Sequence, residues 1–161
     1  MKSRRLDHTD LEILAILQED GRITNRNLAE QVGLSPSPCL ERVRRLQDQG
    51  FIKRFTAVID VEKLYDPVFV YAQITLGNQG RGQQAQIEDH LRGLSQIVHL
   101  VEVSGDCDYI AHFVCPSIAD YQKVTATLLD SENLAVERIV SHVVMRNVKE
   151  ATGLPLERGF D

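Results

Sequence analysis

From Pro67 to Leu76 the chain alternates, with Val68, Val70, Ala72, Ile74 and Leu76 on one side and Phe69, Tyr71, Gln73 and Thr75 on the other. Before Arg54, apolar residues instead return every three or four positions. A period of two makes a strand, and a period near 3.6 makes a helix. A chain of 161 residues that carries both has room for one or two small domains and none for a large barrel enzyme.

The helical third is punctuated by caps. Asp7 caps a first helix with Asp10 in its opening turn, and Leu11, Ile13, Leu14, Ile16 and Leu17 give it a broad apolar face. Asp20-Gly21 ends it. Thr24 caps a short second helix with Leu28, Ala29 and Val32 on one face, and Gly33 follows where a left-handed backbone suits glycine. Ser35-Pro36 opens a third helix by a cap hydroxyl and a proline at its first position. Leu40, Val43 and Leu46 mark its expected buried side, and Gly50 closes it. Three short helices with a tight glycine turn between the second and third read as a helix-turn-helix unit. Arg42, Arg44 and Arg45 lie on the third helix, and Ser35 and Ser37 sit at its N-terminus beside backbone N–H groups open to phosphate. The alternative is a solvated face in which Glu41 and Asp48 pair with those arginines.

Charge divides along the same line. Residues 1–54 hold 10 Lys+Arg against 8 Asp+Glu, whereas residues 55–161 hold 8 against 15, for a total of −5. Only the first segment suits a polyanion.

Beyond the first alternating strand, Gly77 to Gly82 reads as a loop and Gln83 to Leu94 as a helix. Gln96 to Ser104 and Tyr109 to Cys115 read as strands around a Gly105-Asp106 turn. Ser117 caps a helix with Ile118, Tyr121, Val124 and Leu128, and Val136 to Val148 is a last strand. Strand, helix, strand, strand, helix, strand is the split βαβ order of a ferredoxin-like domain, so the expected class is α+β. Two helices cover one face of such a sheet. Phe69 and Tyr71 would then stand on an uncovered apolar face, for which a second copy of the chain is the simplest cover.

Signals for catalysis, cofactors and metals are missing from the pattern: there is no phosphate-loop lysine after a glycine loop, no GxGxxG, and no cluster of the five histidines with cysteines. Catalytic residues, a metal and a cofactor are therefore not expected, and an enzyme on the ferredoxin-like domain is the weaker reading. Three cysteines without a CxxC pair, no apolar run of membrane-spanning length and no signal-peptide pattern suggest a cytoplasmic protein. Cys39, in the first turn of the third helix, reads as packing rather than as a reactive thiol. The segment Val103-Ser104-Gly105-Asp106-Cys107-Asp108-Tyr109 is an ordinary hairpin turn or a loop whose carboxylates and amides grip a zwitterion.

The stretches Asp20-Gly21-Arg22-Ile23, Val32-Gly33-Leu34-Ser35, Pro38-Cys39-Leu40-Glu41-Arg42-Val43-Arg44-Arg45-Leu46 and Gly50-Phe51-Ile52 resemble the Lrp/AsnC family of transcriptional regulators. Val103 to Tyr109 and Val143-Val144-Met145 resemble the same family's effector domain. The resemblance implies a winged-helix-like DNA-binding domain over 1–54, a strand-containing linker over 55–66, a ferredoxin-like effector and oligomerisation domain over 67–149, and a tail over 150–161. It further implies a homodimer that assembles to an octamer, double-stranded DNA as partner and an amino acid as effector. Ser35, Ser37, Arg42, Arg44 and Arg45 would face DNA; Gly105, Asp106, Asp108, Ser141 and Val143 would hold the effector. An effector-binding oligomer that no longer reads DNA is the competing reading. Two departures border the expected pocket. Ser131 to Val136 lacks the family's Leu-Pro-Gly-Val turn, with Asn133 the candidate for a left-handed residue, and His142 stands where tyrosine is frequent.

Overall fold

The computed structural model describes residues 6–77, 81–149 and 153–156, without the side chains of 81–83. The chain forms two compact units: one closes at Val58 and takes the chain back from Lys149 on, and the other runs Ile59–Val148.

In the first unit, α1 (His8–Glu19), α2 (Asn25–Gln31) and α3 (Pro36–Asp48) follow their caps closely. Asp7 accepts from the Asp10 N–H at 2.9 Å and Asp10 accepts from the Asp7 N–H at 3.2 Å, a reciprocal capping box. Thr24 Oγ1 accepts from the Asn27 N–H, and Gly33 takes φ +66°, as the tight turn before α3 requires. Ser35 caps α3 by position only, with no side-chain hydrogen bond to the helix. Ile13, Leu28, Ala29, Cys39 and Leu46 form the core. On α3, Leu46 is buried and Val43 packs against the core as expected, but Leu40 is 38% exposed and Cys39 is buried in its stead. A three-helix unit of this size buries little, and the chain adds to it from far away. Gln18 Nε2 donates to the Leu154 carbonyl at 2.9 Å, and the Leu154 N–H donates to Gln18 Oε1 at 2.7 Å.

Residues 55–66 contain no strand. They hold one 3-10 turn, Val61–Lys63, within otherwise irregular chain. A strand exists by pairing, and residues 55–66 pair with no strand among the described residues.

The second unit is a four-stranded antiparallel sheet in the order β2-β3-β1-β4, with β1 at Val68–Leu76, β2 at Ile97–Glu102, β3 at Tyr109–Cys115 and β4 at Val136–Val143. Helices α4 (Arg81–Gly93) and α5 (Ile118–Asp130) connect them, which gives the ferredoxin-like order. Helix α4 begins at Arg81, inside the segment expected as loop; residues 78–80 of that loop lie outside the described residues. Strand β4 stops at Val143, five residues short of expectation, because β1 ends: Val143 pairs with Val70 and the Val144 N–H reaches Phe69 O. Val70, Ala72, Ile74, Ala111 and Phe113 of the sheet pack with Ile87, Leu91, Tyr121 and Leu128 of the helices in one buried core. The opposite face is open. There register aligns His99, His112, Tyr71 and His142 across the four strands, with Tyr71 and His112 stacked at 4.4 Å between ring centroids.

Candidate functional site

Helix α3 presents its arginines in different directions. At roughly 100° per residue, Arg44 points away from the Cys39–Leu46 side while Arg42 and Arg45 lie next to that side along one edge of it. Arg44 is exposed and makes no ion pair or hydrogen bond among the described residues; Ser35 and Ser37 are exposed at the helix start. Two of the first three helical positions are prolines, and the Cys39 N–H is used on Ser35 O at 3.3 Å. Between Pro36 and Cys39 only the Ser37 N–H is therefore left for an anion, fewer donors than the sequence suggested.

Arg42 and Arg45 turn to α1. Arg42 Nη1 donates to both oxygens of Asp7, at 2.9 and 2.6 Å, and to Asp10 Oδ1 at 2.8 Å. Arg45 Nη2 donates to the same Asp10 oxygen at 2.5 Å. These partners replace the expected Glu41 and Asp48. Asp10 is 3% exposed, and its other oxygen takes the Asp7 N–H, so the buried carboxylate is fully engaged. Hydrogen bonds from Arg42, then from the Asp10 N–H, hold the Asp7 carboxyl below the ordinary carboxylate range, and the bonds to the Asp7 and then the Asp10 carboxylates raise Arg42. Burial pushes the Cys39 thiol up, as packing requires and a reactive thiol does not.

In the second unit the β2–β3 hairpin carries the other candidate. The Val103 N–H donates to Asp108 O at 2.9 Å, and Gly105 takes φ +123°. A Cβ at Gly105 would meet nothing within 4 Å, so the glycine serves the backbone angle and not a close approach. Asp106 is exposed, and its carboxylate has no partner among the described residues; its carbonyl accepts from Thr75 Oγ1 at 3.5 Å and from Arg138 Nη2 at 3.4 Å. The Asp108 carboxylate is already used, accepting the Leu76 N–H at 2.7 Å where β1 shifts register. Ser141 meets the Tyr121 hydroxyl at 2.5 Å, and it pairs with Ala72 as Val143 pairs with Val70. At about 3.3 Å per residue, those rows lie roughly 13 and 20 Å along the sheet from Leu76. One chain thus brings Gly105, Asp106 and Arg138 together but leaves Ser141 and Val143 apart from them. Arg138 and Thr75 escape a sequence reading because only the β1–β4 register makes them neighbours of the loop. A separate cavity of about 340 Å³ lies between α4 and β2, lined by Glu88, Arg92, His99, Glu102 and Tyr109 among others, and none of the expected effector residues lines it.

The fold and these surfaces have close counterparts. Residues 6–53 match the winged helix-turn-helix DNA-binding family, and residues 69–154 match the Lrp/AsnC ligand binding domain. The leucine-responsive regulatory proteins of Klebsiella pneumoniae and Escherichia coli (strain K12) are each 39% identical over 153 residues, 94% of this chain and 92% of theirs. An AsnC family transcriptional regulator from Agrobacterium tumefaciens superposes with a TM-score of 0.86 at 30% identity, covering 94% of this chain and 98% of that one. A Neisseria meningitidis transcriptional regulator solved as an L-Met complex gives 0.86 at 29% identity, covering 94% and 97%. A DNA-binding helical unit joined to a ligand-binding sheet domain defines a ligand-responsive transcriptional regulator. The chain belongs to the Lrp/AsnC family of transcriptional regulators.

Proposed function

We propose that this regulator reads double-stranded DNA with α3, through Arg44, Ser35 and Ser37, and answers to an amino acid held at the Gly105–Asp106 loop. One observation carries the reading: among the described residues, Arg44 is the single guanidinium of α3 left without a protein partner, on an exposed face about two turns from the helix start. A guanidinium there serves either a phosphate or a guanine edge. Asp106 offers for an ammonium group a carboxylate with no partner among the described residues, a reading supported by the complex of the Neisseria meningitidis relative with L-Met. Ser141, Val143 and Asp108 join that site where a neighbouring copy completes it.

The reading includes a domain plan of DNA binding over 1–54, linker over 55–66, effector and assembly domain over 67–149 and tail over 150–161. It also includes a dimer through the open sheet face, where Tyr71 is 46% exposed, and further assembly to an octamer. The protein acts in the cytoplasm and is not an enzyme. No described helix is long and apolar enough to cross a membrane.

DNA sites selected from a random pool, then measured with and without each common amino acid, test this. At least one amino acid is expected to change DNA affinity or assembly, and Asp106→Ala is expected to abolish that response while leaving ligand-free DNA binding intact. A response that persists in a folded Asp106→Ala protein removes Asp106 from the site.

A further inference from the structure

We infer that Arg42 and Arg45 are positioning residues of the DNA-reading unit, clamped by Asp7 and Asp10 of α1, so that sequence preference passes through Arg44. The inference rests on the reading of α3 as the DNA-facing helix and refines which of its side chains touch DNA.

Four hydrogen bonds join two guanidiniums to two carboxylates 32 to 35 residues away. Asp10 is almost wholly buried, and a buried carboxylate stripped of its cations is costly. Arg42 and Arg45 are therefore not free to swing out to phosphates without orphaning Asp10. The carboxylates belong to the capping box of α1, so one set of charges fixes both where α1 begins and how α3 lies against it. Buried ionic groups serve register better than they serve net stability, and register is what a helix needs when one side chain must reach one base edge. The same pairing cancels the field of two of the three arginines toward DNA. The helix then meets the duplex with the charge of Arg44, the hydroxyls of Ser35 and Ser37, and the 38% exposed Leu40.

Salt dependence separates contact from positioning, because each phosphate contact adds about one unit to the slope of log K against log salt. Full-length protein is titrated on a selected site and on unrelated duplex of equal length. Arg44→Ala is expected either to reduce the slope by about one unit or to relax preference at one base pair. Arg42→Gln is expected to leave the slope on unrelated duplex unchanged while lowering the ratio of specific to non-specific affinity by about tenfold or more. Asp10→Asn releases Arg45 and leaves Arg42 on Asp7 alone, so non-specific binding and its slope rise while that ratio falls. Asp7→Asn, which removes only the half-exposed partner, shows the same direction more weakly and serves where Asp10→Asn does not fold. An Arg42→Gln protein whose slope on unrelated duplex falls by one unit would overturn the inference, as would an Asp7→Asn or Asp10→Asn protein with a raised specificity ratio. Arg44→Ala with unchanged affinity, slope and base preference rejects α3 as the reader instead, a separate failure.

Discussion

The two units hold themselves together by different means. The sheet unit buries thirteen largely apolar residues, and none of its described charged residues is buried. The helical unit buries five apolar residues and the carboxylate of Asp10. Burying hydrocarbon is non-directional and tolerates rearrangement, whereas a buried carboxylate with its guanidiniums fixes angles. The sheet unit can therefore carry a changeable loop, the candidate ligand loop, at its end without endangering its core. The helical unit has little core to spare and uses charge to define the geometry of the surface it presents.

The largest effect that tests this contrast is Phe113→Ala. Phe113 is fully buried and meets Tyr121 edge-on at 5.3 Å, so its truncation is expected to cost about 3–5 kcal/mol in the sheet unit. Scanning calorimetry should show one transition moving down while that of the helical unit stays; a joint shift would show that the two are not energetically separate. Next comes Asp10→Asn, expected to destabilise the helical unit by about 2–3 kcal/mol, less than for a fully buried pair because Arg42 and Arg45 keep part of their hydration. Chemical denaturation followed by helical circular dichroism reads it, and an unaltered midpoint would remove charge as the organiser of that unit.

The smallest effect is on acid stability, and it separates the units by pH. Burial first, then His99, lowers the His112 imidazole. The unfolded chain therefore takes up that proton at a higher pH than the folded one. The sheet unit is expected to begin losing stability as pH falls below about 6.5 and to stop losing it, from this source, below the folded value. Asp7 is lowered by Arg42, so its contribution is present above about pH 4 and is lost as pH falls through its depressed folded value. Denaturation midpoints across the acid range should show the sheet unit responding first. His112→Gln should flatten its response, and Asp7→Asn that of the helical unit; a reversed order would contradict the assignment.

What could be read from sequence was local. Asp7, Thr24 and Ser117 cap the helices expected of them because a cap depends on residues three positions away. Helix phase was readable for most of α3: Val43 and Leu46 pack as expected, and Cys39 takes the buried place expected of Leu40. The Arg42–Asp7 and Arg45–Asp10 pairs span more than thirty residues and leave no periodic trace. Nor could the left-handed residue before β4 be found by residue type: it is Ala135, at φ +45°, and not Asn133. An alanine there costs about 1–2 kcal/mol, so the surrounding fold imposes it. The candidate ligand loop was legible as a motif, but its neighbour Arg138 was not, since register is a property of paired strands.

The reciprocal hydrogen bonds between Gln18 and Leu154 also set an order of events in time. During synthesis the helices of the first unit leave the ribosome early, and at about 5–20 residues per second the segment that pairs with Gln18 follows several seconds later. The unit that is translated first is thus completed last, after the whole sheet domain has been made. Until residue 154 emerges, the Gln18 amide lacks these two hydrogen bonds, and the DNA-binding unit of a nascent chain lacks this contact.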